Sequence, residues 1–261
     1  MEDNKMPPPV KAFTFDVFGT VVDWRTSIIS ALTTAATSKL SSPSLSPTTR
    51  SRLASTDWSV FAAAWRAAYY AYTHGFVPGQ TPWRDIDAFH RDALVDLLSE
   101  HGLSEVFTED EITSLSRAWH FLTPWPDSAE GIRRLSANGG YRTATLSNGN
   151  VSLLKDLDEH GGLGFTEILS AEDFRMYKPN PGVYDGACER LKLAPGEVAM
   201  VAAHLGDLEA ARARGMRTVY VEREGEEGWD EGRVEEARTW VDVWVGLGEG
   251  GVQEVARRFG A

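Results

Sequence analysis

Short apolar runs separated by amphipathic stretches organise the second half of the chain. YRTATLS at 141–147, EVAMVAAH at 197–204 and MRTVYV at 216–221 have strand length, with helix-like stretches near 127–138, 151–159, 181–191 and 206–214. A run of the same kind near the start, KAFTFD at 11–16, ends in the turn-forming residues FGT, and TWVDVWVGL at 239–247 offers a further strand. Strand and helix alternate, which predicts an α/β protein with a doubly wound parallel sheet covered by helices on both faces.

The residues between the first two runs differ in character. Helical patterns fall near 26–40, 57–74, 83–102 and 108–121 with no convincing strand, which predicts a helical domain at 24–125 inserted into a discontinuous core of 8–23 and 126–261. In WSVFAAAWRAAYYAYTHG at 58–75, Trp58, Phe61, Trp65, Tyr69 and Tyr72 recur at helical spacing and read as packing. These aromatic helices fit a homodimer interface or burial within the chain equally well. The Ser/Pro/Thr-rich SSPSLSPTT at 41–49 reads as a mobile loop.

A chain of 261 residues can bury one substantial core with a second lobe. No apolar stretch approaches the roughly 20 residues needed to span a bilayer, and MEDNKMPPPV at the start lacks a basic segment followed by an apolar one, so neither membrane nor secretion is expected. The single cysteine, Cys188, cannot close an internal disulfide, which suits a cytoplasmic setting, and it reads as inert packing. A formal net charge of −12 argues against a nucleic-acid partner, because phosphate binding needs clustered Lys and Arg. Much of that excess lies in EREGEEGWDEGRVEE at 222–236, which reads as a solvated loop and helix.

Open sheets of this kind bind ligands outside the carboxyl ends of their strands. Those ends carry Asp16, then Ser147 and Asn148, then His204 and Asp207. A carboxylate directly after an apolar strand, as in FDVFGTVVDWR at 15–25, can serve as a nucleophile. The string resembles the first motif of the haloacid dehalogenase superfamily, and LSNGN (146–150), YKPNPGVY (177–184) and VAAHLGDLEAARARGMRTVYV (201–221) resemble the second, third and fourth in order. The resemblance spans nearly the whole chain and implies a Rossmann-like core with a helical cap.

Most of that superfamily are magnesium-dependent phosphatases with an acidic residue two positions after the nucleophile and a carboxylate pair in the fourth motif. Here those positions hold Phe18 and Ala203, so a hard cation, which wants several oxygen ligands, is not expected, and no cofactor is implied. Phe18 and LSNG are instead the pattern of the L-2-haloacid dehalogenases. That likeness implies attack by Asp16 on the halogen-bearing carbon of a small anionic 2-haloacid, an aspartyl ester and its hydrolysis to the 2-hydroxyacid.

By the same resemblance Arg66 receives the halide, although its helix position alone fits a solvated arginine. Thr20, Ser147 and Asn148 orient Asp16 and the substrate carboxylate, Lys178 offsets two neighbouring carboxylates, and Tyr184 lines the pocket or packs a helix. In the fourth motif the familiar bacterial enzymes carry S-S-N, whereas this chain has Ala202, Ala203 and His204 before Asp207. His204, which titrates near neutrality, is expected to position or activate the hydrolytic water with Asp207. His74, His90, His101, His120 and His160 suggest no role. Three alternatives remain open: a phosphatase of the same superfamily, displacement of a non-halide group at carbon, and a non-catalytic binding protein.

Overall fold

In a computed structural model of the chain, which describes residues 9–261, the polypeptide divides into two compact units. The first combines the described chain up to Val22 with Pro124–Ala261, and the second is Asp23–Thr123. The expectations for the residues before Pro9, a leaderless start and a core beginning at residue 8, lie outside the described residues.

The first unit is built on five parallel strands: β1 (Ala12–Phe15), β2 (Arg142–Thr145), β3 (Val198–Ala202), β4 (Arg217–Val221) and β5 (Val243–Val245). Their order in the sheet is β2-β1-β3-β4-β5. The chain therefore proceeds from β1 to one side and returns to the other, which makes the gap beyond the carboxyl ends of β1 and β3 the point where strand order reverses. Asp16 leaves β1 there, its backbone N–H donating to the Val201 carbonyl of β3 at 2.9 Å.

Side-chain alternation along β1 feeds two cores. Ala12 joins Met200, Ala202 and Tyr220 under the helices Pro181–Leu191 and Leu205–Ala213. Phe13 and Phe15 point to the opposite face, where Phe13 meets Phe259 edge-on at 4.8 Å and Phe15 meets Phe165 at 5.5 Å. On that face the helix Ser128–Ala137 lies so close to Gly251–Arg258 that a Cβ on Gly131 would stand 2.5 Å from the Val252 backbone, and only glycine permits the approach.

The second unit is helical: Trp24–Leu40, Pro47–Ser55, Trp58–Gly75, Ile86–Glu100 and Glu109–Ser116. Each begins on a capping side chain, Asp23, Ser46, Asp57, Asp85 and Thr108 respectively, which accepts a bond from an otherwise unpaired first-turn N–H. Trp65, Phe61, Trp119, Ile28, Leu32 and Leu94 are fully buried. Of the aromatic stripe, Phe61, Trp65 and Tyr69 are core, whereas Trp58 and Tyr72 are half-buried.

The Ser/Pro/Thr stretch is a loop over 41–46, as expected, but its last three residues begin a helix. Ser46 caps a helix whose first residue is Pro47, and the Arg50 guanidinium donates to the carbonyls of Leu40 and Ser42. Ser followed by Pro is a helix-start signal that composition alone masks. No helix among the described residues is long and apolar enough to cross a membrane.

Candidate active site

The residues at the carboxyl ends of β1, β2 and β3 converge on Asp16, whose carboxylate is held by three side chains. Thr20 Oγ1 donates to Oδ2 at 2.7 Å, His204 Nδ1 lies 3.0 Å from the same oxygen, and Lys178 Nζ donates to Oδ1 at 2.9 Å. The turn after β1 makes this possible. Val21 N–H returns to the Val17 carbonyl, Gly19 takes φ +86°, and Thr20 is carried back over the strand end. There the Thr20 hydroxyl also accepts the Ala203 N–H at 2.9 Å.

Lys178 bridges two buried carboxylates, reaching Asp207 Oδ2 at 2.5 Å as well as Asp16. Asp207 lies in the first turn of Leu205–Ala213, and its Oδ1 accepts the Tyr184 hydroxyl at 2.6 Å. Burial works to raise the Asp16 carboxyl, but the charge of Lys178 and the bond and charge of His204 outweigh it and hold the group well below the usual carboxylate range. Asp207 shifts the other way: burial and the neighbouring Asp16 charge raise its carboxyl despite Lys178. Burial pulls Lys178 down, yet the two carboxylates prevail and raise it. Burial and Asp207 raise the Tyr184 phenol. Two adjacent carboxylates with opposed proton affinities can divide nucleophile and base between them.

Two predicted orienting residues have different partners. Asn148 pairs with the backbone of Lys178, its Oδ1 accepting the Lys178 N–H at 2.7 Å and its amide donating to the Lys178 carbonyl at 3.3 Å. It thereby fixes the lysine, not the Asp16 carboxylate. Ser147 is fully buried, and its hydroxyl accepts the Gly149 N–H at 3.3 Å. His204 and Asp207 also part company: His204 is bonded to Asp16 and Glu226, and Asp207 to Lys178 and Tyr184. Phe18 is buried and packs over Gly149, whose Cβ would stand 3.1 Å from its ring.

The acidic stretch is not a uniformly solvated loop. After β4, Arg223 donates to the Thr20 carbonyl at 3.1 Å and forms two 2.7 Å bonds with Asp127. So anchored, the segment turns Glu226 and Glu227 inward. Glu226, its side chain 6% exposed, lies 3.3 Å from His204 Nε2, and Glu227 accepts the Leu205 N–H at 2.7 Å, capping the helix that follows His204.

Within the helical unit Arg66 is buried, with its guanidinium 4.6 Å from the ring of Tyr70, 4.7 Å from Tyr69 and 5.4 Å from Trp24. His90 stacks on Trp119 at 4.4 Å, and burial together with the Arg66 charge lowers its imidazole to about 3. Among the described residues no His, Cys, Asp and Glu cluster suited to a metal ion is present. The Asp16 and Asp207 pair is instead bridged by an ammonium, and Ala203 adds no carboxylate beside them, so the donor set does not fit a magnesium ion.

The model of the haloacid dehalogenase-like hydrolases matches residues 10–215, and the chain belongs to that family. It is 30% identical over 217 residues to (S)-2-haloacid dehalogenase 1 of Pseudomonas sp. (strain CBS-3), covering 82% of this chain and 86% of that one. Over 113 residues it is 38% identical to (S)-2-haloacid dehalogenase 4A of Burkholderia cepacia, covering 42% and 48%. Among solved structures, the defluorinating L-2-haloacid dehalogenase Rha0230 superimposes with a TM-score of 0.80 at 33% identity, over 98% of this chain and 100% of that one. The L-2-haloacid dehalogenase PA0810 gives 0.78 at 32% identity over 95% and 99%.

Proposed function

We propose that the protein hydrolyses the carbon–halogen bond of a short 2-haloacid, haloacetate or an L-2-haloalkanoate, through an ester on Asp16 and without a metal ion. The observation that carries this reading is the unequal treatment of the two Asp16 oxygens. Among the described residues Oδ2 is bonded to both Thr20 and His204, whereas Oδ1 has Lys178 alone. A carboxylate oxygen accepts about two bonds in its plane, so Oδ1 keeps a lone pair for attack.

Oδ1 forms a bond to C2 of the substrate opposite the halogen, and the carbon–halogen pair of electrons leaves with halide. No proton is needed for a leaving group that departs as a stable anion. Phe18 at the second acidic position suits this chemistry, because an apolar wall favours a partly desolvated nucleophile. Arg66, a buried guanidinium ringed by Trp24, Tyr69 and Tyr70, takes the halide. In the second step Asp207, the carboxylate of higher proton affinity, takes a proton from water as that water adds to the Asp16 carboxyl carbon. The oxyanion develops on Oδ2 against Thr20 and His204, and collapse expels the hydroxyacid.

The single cysteine, Cys188, is free and buried, which supports a reducing, cytoplasmic setting. The similarity to named 2-haloacid dehalogenases supports the substrate class. Displacement inverts C2, and hydrolysis leaves its new bond to oxygen intact. L-2-Chloropropionate is therefore expected to release chloride and D-lactate, and the D enantiomer to release none. Equal consumption of both enantiomers, or phosphate release from phosphate esters in place of chloride release, would contradict the reading.

A further inference from the structure

The acidic segment after β4 contributes a carboxylate that the steps above do not use. Glu226 faces His204 Nε2 at 3.3 Å while His204 Nδ1 faces Asp16 at 3.0 Å, so the imidazole spans two carboxylates. Glu226 did not come to rest there by default. Arg223 ties the segment to the Thr20 carbonyl and to Asp127. Gly19 leaves the space: a Cβ on it would stand 2.1 Å from Glu226 Oε2. An imidazolium with both N–H groups donating answers the buried Glu226 carboxylate and Asp16 at once.

We propose that Glu226 is a positioning residue that keeps His204 doubly protonated, with Nδ1–H aimed at Asp16 Oδ2 through ester hydrolysis. The proposal rests on the aspartyl-ester reading and deepens it. In the resting enzyme both carboxylates hold the imidazolium. Alkylation of Oδ1 neutralises Asp16, and from that point the carboxylate of Glu226 is the charge beside the ring that favours retention of its proton. When water adds to the carboxyl carbon, negative charge appears on Oδ2, where Thr20 Oγ–H and His204 Nδ1–H are already directed. The imidazolium is thus a fixed donor to the oxyanion, and its proton is neither consumed nor released. Asp207 takes one proton of the water, that proton passes to the departing alkoxide, and the remaining hydroxyl proton is lost to solvent as Asp16 ionises again. In sum, haloacid and water give hydroxyacid, halide and a proton.

The groups facing the His204 ring set what its titration reports. They include Asp16 from the β1 end and Glu226 from the segment after β4, with Lys178 on the far oxygen of Asp16 and Glu227 on the Leu205 N–H. Glu226→Gln keeps an acceptor and removes the charge, so it acts on the protonation of the ring more than on its placement.

The test is rapid-quench kinetics with chloroacetate on wild type and Glu226→Gln, with Asp16 peptide masses read at each time point. Glu226→Gln is expected to release a burst of one chloride per active site and then turn over about 10-fold to 100-fold slower than wild type, with ester trapped on Asp16. Its remaining turnover is expected to fall at lower pH on the alkaline side than that of wild type. Wild-type turnover by Glu226→Gln without trapped ester would overturn the proposal. Histidine nitrogen NMR of the wild type, which needs no variant to fold, supplies the second measurement: His204 is expected with both ring nitrogens protonated at neutral pH, and a neutral ring would overturn the proposal. Failure of the dehalogenase reading looks different, since wild type would then release no chloride at all.

Discussion

Lys178 stands between Asp16 and Asp207 and donates to both, at 2.9 Å and 2.5 Å. One ammonium thus determines the character of two carboxylates, and Asn148 in turn fixes its backbone from both sides of the peptide. The outcome is an Asp16 carboxyl ionised well below the usual range beside an Asp207 carboxyl that binds its proton more tightly.

Replacing Lys178 with Met removes that cation and leaves two buried carboxylates without their shared partner. Loss of one member of a buried ion pair costs about 3–5 kcal/mol, and urea unfolding is expected to show a loss of that size near neutral pH. The sign with pH follows from the depressed carboxyl of Asp16. Its stabilisation is fully present above the unfolded value of about 3.9 and is lost as pH falls through the lower folded value, so the variant's deficit shrinks in acid. A deficit that grows on acidification would contradict this account.

The two steps should separate with pH. Asp16 stays ionised into acid, so alkylation persists, whereas burial, which the ester leaves in place, favours the protonated form of Asp207, and a protonated Asp207 cannot act as a base. As pH is lowered, quenched reactions are expected to hold a rising fraction of enzyme as ester while turnover declines. A parallel decline of burst and turnover would contradict the assignment of Asp207.

Arg66→Ala should give the opposite kinetic picture. If Arg66 receives halide, the first step slows and no ester accumulates, with kcat/KM down by about 10²–10³-fold as for loss of a charge-stabilising donor. Stopped-flow chloride detection on L-2-chloropropionate checks this, and an Arg66→Ala protein that still shows a full chloride burst would contradict it.

Much of this arrangement was legible in the residue pattern, and the failures have physical causes. The strands and the helical insertion follow from apolar runs and periodicity, and strand ends locate Asp16, Asn148, His204 and Asp207. The duty of Asn148 was not legible, because a side-chain amide pairs with a peptide group as readily as with a ligand. Glu226 was hidden among Glu222, Glu224, Glu227 and Glu231, since charge composition does not tell which carboxylate turns inward. A signal existed nonetheless: the segment begins directly after the carboxyl end of β4, on the edge of the sheet where ligands bind. The helix Gly251–Arg258 escaped notice because eight residues give little periodicity to read.

Chelation is expected to leave catalysis intact. With Lys178 between the two carboxylates and Ala203 adding no carboxylate beside them, chloride release should be equal with EDTA and with added magnesium. Activity lost to EDTA and restored by magnesium would contradict the assigned chemistry.

The central claim, covalent attack by Asp16, is tested most directly by one turnover in heavy-oxygen water with enzyme in excess over L-2-chloropropionate. Hydrolysis at the Asp16 carboxyl carbon predicts that the lactate formed carries ordinary oxygen and that the peptide containing Asp16 gains one heavy oxygen. Heavy oxygen in that first lactate, with none in Asp16, would mean that water attacks the substrate carbon itself and would contradict the account.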